Sequence, residues 1–288
     1  MILAPYCLVC SQRVALEAAQ QVTNDETVLK TVLLKMMDIL KDVVSQDVDS
    51  FLLGLRMMEI IDEVTGSGDP YKDFRRRSAH VAEQLVSTVR ETVAKSPQPL
   101  WEACRVAVMG NLMDVIAGSR PELFNMSSFL EKPFAVNHFD AFRLILNRAE
   151  KVVFLADNAG EVFFDRVLID RLLAEKRDLH IDYFIKGFPF LNDALHEDAV
   201  LALIDQVATI RTVPLIKPIV MNQEYLHRMY AGFLDAARSA DLVVVKGQAN
   251  YELFMSVLKG AFYLFVHKCP VIARKEGADM GDAVFCRK

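Results

Sequence analysis

Three short polar segments in the second half of the chain combine carboxylates and amides with lysine and glycine. They are residues 156–161 (ADNAGE), 186–193 (KGFPFLND) and 246–252 (KGQANYE). Each follows a run of β-branched or aromatic residues, so each begins where a buried strand is expected to end. Carboxylate and amide oxygens bind hard divalent cations, whereas helix N-termini bind phosphate. The segments therefore predict a site for a metal ion and a phosphate group.

The metal ligands predicted from these segments are Asp157, Asn158 and Asp193. Three oxygen ligands suffice for Mg²⁺ or Mn²⁺ when water and a substrate phosphate fill the other positions. The alternative is that these residues only cap the following helices, because Asp and Asn are favoured N-caps and a later Glu completes a capping box. Two carboxylates on neighbouring loops favour the metal site.

The phosphate contacts are predicted at two loops. Lys246 is placed to neutralise one phosphoryl oxygen and Asn250 to donate to another, while Gly247 allows close approach of the backbone. At the opening of a helix, Gly160 supplies a backbone N–H and Glu161 is the candidate to orient a water molecule. An ordinary strand-to-helix turn is the alternative interpretation of the Lys246 loop, and helix capping is that of the loop with Gly160 and Glu161.

Two asparagines are further candidates for substrate binding. Asn192 precedes Asp193 at the mouth of the same crevice. Asn111 lies in an otherwise apolar helical segment, and a buried amide needs hydrogen-bond partners. We expect both to face the predicted site.

Composition and missing motifs exclude several classes of protein. The chain of 288 residues has 33 Lys and Arg against 38 Asp and Glu, a net charge of −5, which gives no field for binding nucleic acid. No P-loop, G-x-G-x-x-G, G-x-S-x-G or H-E-x-x-H motif stands at a usable place. No apolar run approaches the ~20 residues of a membrane span. Five cysteines in mostly apolar surroundings predict free thiols and a cytoplasmic protein.

The first part of the chain is predicted to be helical. Apolar residues recur at spacings of three and four from Val28 to Leu40 and from Phe51 to Ile61, and further helices are expected over Tyr71–Ala94 and Pro99–Ile116. The pattern weakens between Ala117 and His138. We therefore predict an all-helical domain over residues 1–138.

From residue 139 onward, short strand-like runs alternate with helical patterns, which predicts a mostly parallel sheet covered on both faces. The predicted strands are Val152–Leu155, His180–Ile185, Thr209–Val213, Leu242–Val245 and Val271–Ala273, with a last one near Val284. The predicted helices are Ala141–Arg148, Glu161–Glu175, Asp193–Ile204 and Tyr251–Phe265. The fold class is thus α/β, with residues 139–288 forming a three-layer α/β/α domain.

Six short motifs together resemble the metal-dependent damage-control phosphatase family, a former domain of unknown function, and its prokaryotic branch in particular. They run in the family's order along nearly the whole chain. The motifs are residues 7–10 (CLVC), 65–71 (TGSGDPY), 110–114 (GNLMD), 157–161 (DNAGE), 192–193 (ND) and 246–250 (KGQAN).

This resemblance implies a helical domain packed on an α/β/α domain and a divalent metal, Mg²⁺, Mn²⁺, Co²⁺ or Ni²⁺, at the positions matching Asp157, Asn158 and Asp193. It implies hydrolysis of small phosphomonoesters such as sugar phosphates or damaged metabolites. The chain departs from the family pattern at Phe188 and Leu195, where smaller or hydroxyl residues are usual. Both departures are expected to reshape the substrate pocket.

Two other functions stay open at this point. A non-catalytic protein that binds a phosphorylated metabolite would keep the same fold but would have little need for three oxygen ligands. An S-adenosylmethionine-dependent carboxyl methyltransferase, proposed for eukaryotic relatives, would need a glycine-rich turn after the first strand, where Asp157 and Asn158 stand instead.

Overall fold

The computed structural model describes residues 3–44, 46, 48–112 and 132–288. Its first part is helical, and the boundaries follow local signals. Asp25 caps the second helix by accepting from two backbone N–H groups, Gly66 ends the third in the left-handed conformation at φ 71°, and Pro99 opens the fifth. The helices are α1 (Pro5–Gln20), α2 (Glu26–Val43), α3 (Ser50–Thr65), α4 (Lys72–Lys95) and α5 (Pro99–Gly110).

The later part contains a seven-stranded sheet in the order β1-β7-β6-β5-β2-β3-β4. All neighbouring strands are parallel except β6 and β7. The strands are β1 (Val136–Asn137), β2 (Lys151–Leu155), β3 (His180–Lys186), β4 (Thr209–Val213), β5 (Leu242–Lys246), β6 (Phe262–Val266) and β7 (Ala283–Arg287). The chain progresses outward from β2 in one direction and from β5 in the other, so the topological switch point lies between these two strands.

The helices that connect the strands have six to eight residues, except for α7, which has 14. They are α6 (Phe139–Leu146), α7 (Val162–Glu175), α8 (His196–Leu201), α9 (Gln223–Met229), α10 (Ala231–Arg238), α11 (Gln248–Phe254) and α12 (Pro270–Glu276). A single turn of 3₁₀ helix over Ala159–Glu161 precedes α7. No helix among the described residues has both the length and the apolar character needed to span a membrane.

Each face of the sheet packs into its own apolar cluster. Along β2, Phe154 belongs to the cluster that contains α4, α5, α6 and α7, whereas Val153 and Leu155 belong to the cluster that contains α1, α2, α3 and α10. This alternation is the two-residue period of a strand buried on both faces. The three-layer arrangement confirms the predicted α/β class, and the boundary at residues 138 and 139 stays a prediction.

Two sequence predictions near the C-terminus are wrong. Residues 251–265 are not one helix, because α11 ends at Phe254 and the chain enters β6 after Gly260, which has φ 85°. Residues 271–273 are not a strand but lie in α12, which Pro270 opens. The strand over residues 262–266 is apolar on both faces, and periodicity cannot distinguish such a run from a buried helix. The helix predicted over residues 193–204 is confined to α8.

Candidate functional site

The loops after β2 and β3 are joined by backbone hydrogen bonds at the carboxyl edge of the sheet. The Ala159 amide donates to the Asn192 carbonyl at 3.0 Å, and the Ala194 amide donates to the Asp157 carbonyl at 2.8 Å. Between these bonds, residues 158 and 193 form an isolated antiparallel bridge. The structure therefore brings Asp157, Asn158 and Asp193 together beside the switch point, where parallel α/β proteins bind ligands.

The loop after β5 approaches the same place through a glycine. Gly247 has φ 82°, a conformation that side-chain-bearing residues rarely adopt, and a Cβ atom built on it would overlap the carboxylate of Asp157. The backbone of β5 thus forms one wall of the site against Asp157. Close approach was the role predicted for Gly247, and the partner it approaches is the carboxylate itself.

Replacing Gly247 by alanine is expected to lower the free energy of unfolding by roughly 1–3 kcal/mol through backbone strain, and to displace Asp157. Gly232 is a matched control because a Cβ there meets open space within α10. Gly232→Ala is expected to be neutral or stabilising by up to about 1 kcal/mol. Urea denaturation of both variants measures the difference, and equal stability of the two variants would contradict this account of Gly247.

Two asparagine amides hold the carboxylates of the site. The Asn111 Nδ2 donates to Asp157 Oδ2 at 2.9 Å and to Glu161 Oε2 at 3.0 Å. The Asn158 Nδ2 donates to the same two oxygens at 2.7 and 3.2 Å. The Val266 backbone N–H donates to Asn111 Oδ1 at 3.1 Å, which fixes the amide orientation. Asn111 therefore carries the end of α5 into the site, and Oδ1 of Asn158 is the atom of that side chain able to bind a cation.

Lys246 lies beneath the site, not at its surface. Its side chain is fully buried, and the ammonium donates to the Ala107 carbonyl at 3.0 Å, to Glu161 Oε1 at 2.6 Å and to Asp165. Asp165 also accepts from the Tyr183 hydroxyl at 2.7 Å. Three bonds use all three ammonium protons. The arrangement leaves Lys246 no donor for the phosphoryl oxygen that the sequence analysis assigned to it.

Asn250, like Lys246, uses all of its donor protons within the protein. Its Nδ2 donates to the Ala156 carbonyl at 3.0 Å and to the Lys246 carbonyl at 2.8 Å, so both amide protons are used. The side chain ties the end of β2 to the end of β5 from the first turn of α11. In this geometry Asn250 fixes the two strand ends that form the site, and its amide has no proton left to donate to a substrate.

A second buried lysine, not among the predicted site residues, lies at the end of β3. Lys186 is 5% exposed, its ammonium forms an ion pair with Asp193, and it faces the rings of Phe51 and Phe190 at 5.4 and 5.5 Å. The available signal was a lysine that ends a buried strand, the same signal that singled out Lys246. Lys268, which follows β6, also lies close enough for its charge to lower the pKa of Asp157.

The site carries more negative than positive charge. Burial and the neighbouring charges of Glu161 and Asp193 raise the pKa of Asp157 well above its ordinary value. Burial likewise raises the pKa of Asp165 to about 6, against the opposing effect of Lys246. Of the four carboxylates in this cluster, those of Glu161 and Asp165 accept from the ammonium of Lys246 and that of Asp193 accepts from Lys186, while the charge of Lys268 acts on Asp157.

A cluster of carboxylates fits a divalent cation, and Asp157, which is half-buried, is the most exposed of the four. Among the described residues, no three His, Cys, Asp or Glu side chains converge as a metal-binding group. The predicted set contains two carboxylates and relies on the amide oxygen of Asn158 as the third ligand. The donor chemistry, all oxygen, suits a hard ion such as Mg²⁺ or Mn²⁺.

Comparison with known proteins places the chain in a family. Residues 3–284 match the family model described as the damage-control phosphatase ARMT1-like domain. The chain belongs to this family. A protein of Archaeoglobus fulgidus named a damage-control phosphatase is 30% identical over 290 residues, covering 99% of this chain and 98% of that protein.

Other proteins are similar to this chain over nearly its whole length. An uncharacterised protein of Methanocaldococcus jannaschii is 29% identical over 296 residues, with 99% of this chain and 95% of that protein covered. The crystal structure of a DUF89 family protein from Pyrococcus horikoshii has a TM-score of 0.87 and 21% identity, covering 100% of this chain and 99% of that one. These likenesses confirm the fold, and the names of the damage-control phosphatases support a phosphatase.

Two more of the six sequence motifs, residues 65–71 and 7–10, lie among the described residues, and their contacts can be given. Asp69 accepts two hydrogen bonds from the buried Arg75 at 2.8 and 2.6 Å, and Asp198 lies 3.6 Å from the same guanidinium, so this motif joins α4 to α8. Cys7 and Cys10 are half-buried free thiols on α1. Asp114 lies outside the described residues.

The remaining predicted residues lie in the loops after β2 and β3. Gly160 is buried in the 3₁₀ turn before α7, and Asn192 is half-buried with its carbonyl engaged by the β2 loop. Phe188 and Leu195, where the chain departs from the family pattern, are both buried. Phe188 packs in the apolar cluster that contains α3, so its bulk is absorbed by the core of that face.

Proposed function

We propose that this protein is a metal-dependent phosphatase that hydrolyses small phosphomonoesters, either sugar phosphates or damaged phosphometabolites. The observation that carries the proposal is the cluster of four carboxylates with the ammonium groups of Lys186 and Lys246 at the switch point of the sheet. Family membership and the names of two relatives support the phosphatase class.

Asp157, Asn158 and Asp193 would hold the ion, which when bound would polarise the phosphoryl group and offset the charge that develops as the ester bond breaks. Glu161 is a positioning residue, since its two oxygens accept from Lys246, Asn111 and Asn158. By engaging the Nδ2 of Asn158, it keeps the amide oxygen available to the cation. Oε1 of Glu161 accepts one bond in this arrangement and could accept another, but the side chain is fully buried, so the water-orienting role predicted for it would need a water molecule to reach a buried carboxylate.

The phosphoryl group itself is expected to lie between Asp193 and the turn over Ala159–Glu161. Backbone N–H groups at the start of a helix bind phosphate oxygens. The amides of Ala159 and Glu161 already donate to the carbonyls of Asn192 and Asn158, so Gly160 would have to supply the amide in this turn. Lys186, already paired with Asp193, adds a positive charge beside the ion. Positioning and electrostatics supply most of the rate acceleration in phosphoryl transfer, and these groups provide both. Small phosphorylated metabolites of the cytoplasm are the expected substrates.

The test is phosphate release from a panel of small phosphomonoesters. Protein stripped with a chelator is resupplied separately with Mg²⁺, Mn²⁺, Co²⁺ and Ni²⁺, and an Asp157→Ala variant purified in parallel controls for contaminating phosphatases. We expect turnover that returns with metal and is absent from the variant. Binding of phosphorylated compounds without release under any metal would instead indicate a non-catalytic binding protein.

A further inference from the structure

The hydroxyl of Tyr230 is buried and has no hydrogen-bond partner among the described residues. Tyr230 is 1% exposed and lies between α9 and α10, with its ring packed against Phe51, Phe233 and Phe254 at centroid distances of 6.0, 6.4 and 5.0 Å. Buried hydroxyls are nearly always paired, because an unpaired one destabilises the fold. Such a group calls for an explanation.

Three other buried tyrosines of this protein follow the rule, whereas the hydroxyl of Tyr251 also lacks a hydrogen-bond partner among the described residues, although Glu276 lies near enough to raise its pKa. Tyr183 donates to Asp165 at 2.7 Å, Tyr225 donates to the Ile216 carbonyl at 2.7 Å, and Tyr263 donates to the Leu258 carbonyl at 3.4 Å. Tyr230 differs from them although its ring is equally well packed. Packing alone therefore accounts for the ring but leaves the hydroxyl unexplained.

The ring of Phe51 links Tyr230 to the candidate site, because its centroid lies 6.0 Å from that of Tyr230 and 5.4 Å from the ammonium of Lys186. The charges of Lys186, Asp193, Asp157 and Asp49 act on the pKa of Tyr230, in decreasing order. Burial raises the pKa of Tyr230 to about 12, so the hydroxyl keeps its proton at neutral pH and can donate. The unpaired donor thus belongs to a ring that packs on Phe51 together with Lys186, the lysine that pairs with Asp193.

Lys186 is a second donor beside Tyr230 with protons that are not used by the described hydrogen bonds. Its ammonium has three donor protons, and its hydrogen bond within the described residues goes to Asp193. Two aromatic rings, those of Phe51 and Phe190, cover its other sides. An ammonium and a neutral phenol that share an apolar wall form a pair of donors suited to an oxyanion beside a cation.

We propose that Tyr230 is a further substrate-binding residue whose hydroxyl donates to a phosphoryl oxygen of the substrate, next to Lys186. This inference rests on the proposed phosphatase function and deepens it. It places one wall of the phosphate site on the connection between α9 and α10, and it replaces the donors that Lys246 and Asn250 were predicted to supply. The hydroxyl stays unpaired until the phosphate arrives.

The test compares Tyr230→Phe with Tyr225→Phe as a matched control. Binding of inorganic phosphate to Mn²⁺-loaded protein is measured by titration calorimetry, together with KM and kcat for p-nitrophenyl phosphate and the thermal unfolding midpoint. Tyr230→Phe is expected to weaken phosphate binding about tenfold or more and to lower kcat/KM by a similar factor. Its unfolding midpoint should stay level or rise, because the unpaired hydroxyl is gone.

Tyr225→Phe is expected to show the reverse pattern. It loses the bond to Ile216, so its midpoint should fall while phosphate affinity and KM stay at wild-type values. Wild-type phosphate affinity and KM in Tyr230→Phe would overturn the inference and leave the phosphatase proposal standing. Phosphate binding that depends on Tyr230, in a wild-type protein without turnover on any metal, would support the inference and overturn the proposed function. Wild-type protein that neither turns over nor binds phosphate would overturn both.

Discussion

Replacing Asp157 by asparagine is expected to abolish metal-dependent turnover and, in the same variant, to stabilise the metal-free protein. The carboxylate is destabilised by burial and by repulsion from Glu161 and Asp193. Asparagine removes that repulsion, and its amide oxygen can still accept from Asn111 and Asn158. The same change removes the charge that attracts the ion, so activity is expected to fall on the order of a thousandfold.

Thermal unfolding with and without Mn²⁺ separates the two effects. A ligand that binds the folded state raises the midpoint, and this rise should appear in the wild-type protein and vanish in Asp157→Asn. Without metal, the variant should unfold a few degrees above wild type. A metal-induced rise of wild-type size in the variant would show that Asp157 is not a ligand.

Asp241→Asn is the matched control for this experiment. Asp241 is exposed and accepts from the backbone N–H groups of Glu150 and Lys151, at the amino end of β2, opposite to the site. These bonds lower the pKa of Asp241, so its charge stabilises the fold at neutral pH. The control should therefore lose stability, where Asp157→Asn gains it, and should keep its response to metal.

The convergence of Asp157 and Asp193 could be predicted because it depends on a general property of parallel sheets. Strands that run in the same direction end at the same edge, so residues just after β2 and β3 must be neighbours however the helices pack against the sheet. The same reasoning found the loop that carries Gly247. Local sequence and a topological rule were sufficient for the position of the site.

The direction in which each side chain points could not be predicted in this way. Lys246 ends its strand as expected, but its ammonium turns inward because α5 presents the Ala107 carbonyl and α7 presents Asp165. Those partners are 139 and 81 residues away in the chain. Only the packing of the helices against the sheet decides whether such a lysine meets a substrate or a buried carboxylate.

Residues on unrecognised elements were missed for a related reason. Lys268 follows β6, and because this strand is apolar on both faces, periodicity predicts it as part of a helix and predicts no site at its end. Tyr230 lies between two short helices with no polar motif nearby. Its significance comes from an unpaired hydroxyl, which is a property of the tertiary structure alone.

Replacing Lys246 by methionine is expected to reduce the free energy of unfolding by about 3–5 kcal/mol, because Glu161 and Asp165 would remain buried without their shared counter-charge. That is a large part of the 5–15 kcal/mol typical of a folded protein. Urea denaturation measures the loss. Lys259→Met, at an exposed lysine, should change stability by no more than about 0.5 kcal/mol.

A double variant distinguishes the buried role of Lys246 from the phosphate-binding role first predicted for it. Adding Asp165→Asn to Lys246→Met removes one of the two unpaired charges, so the double variant should recover part of the lost stability. A lysine that served only to bind substrate would give the opposite result, with wild-type stability in Lys246→Met, a raised KM, and no benefit from Asp165→Asn. The contacts of the ammonium with Glu161, Asp165 and Ala107 favour the first outcome, because a charge with three internal partners stabilises the site from below.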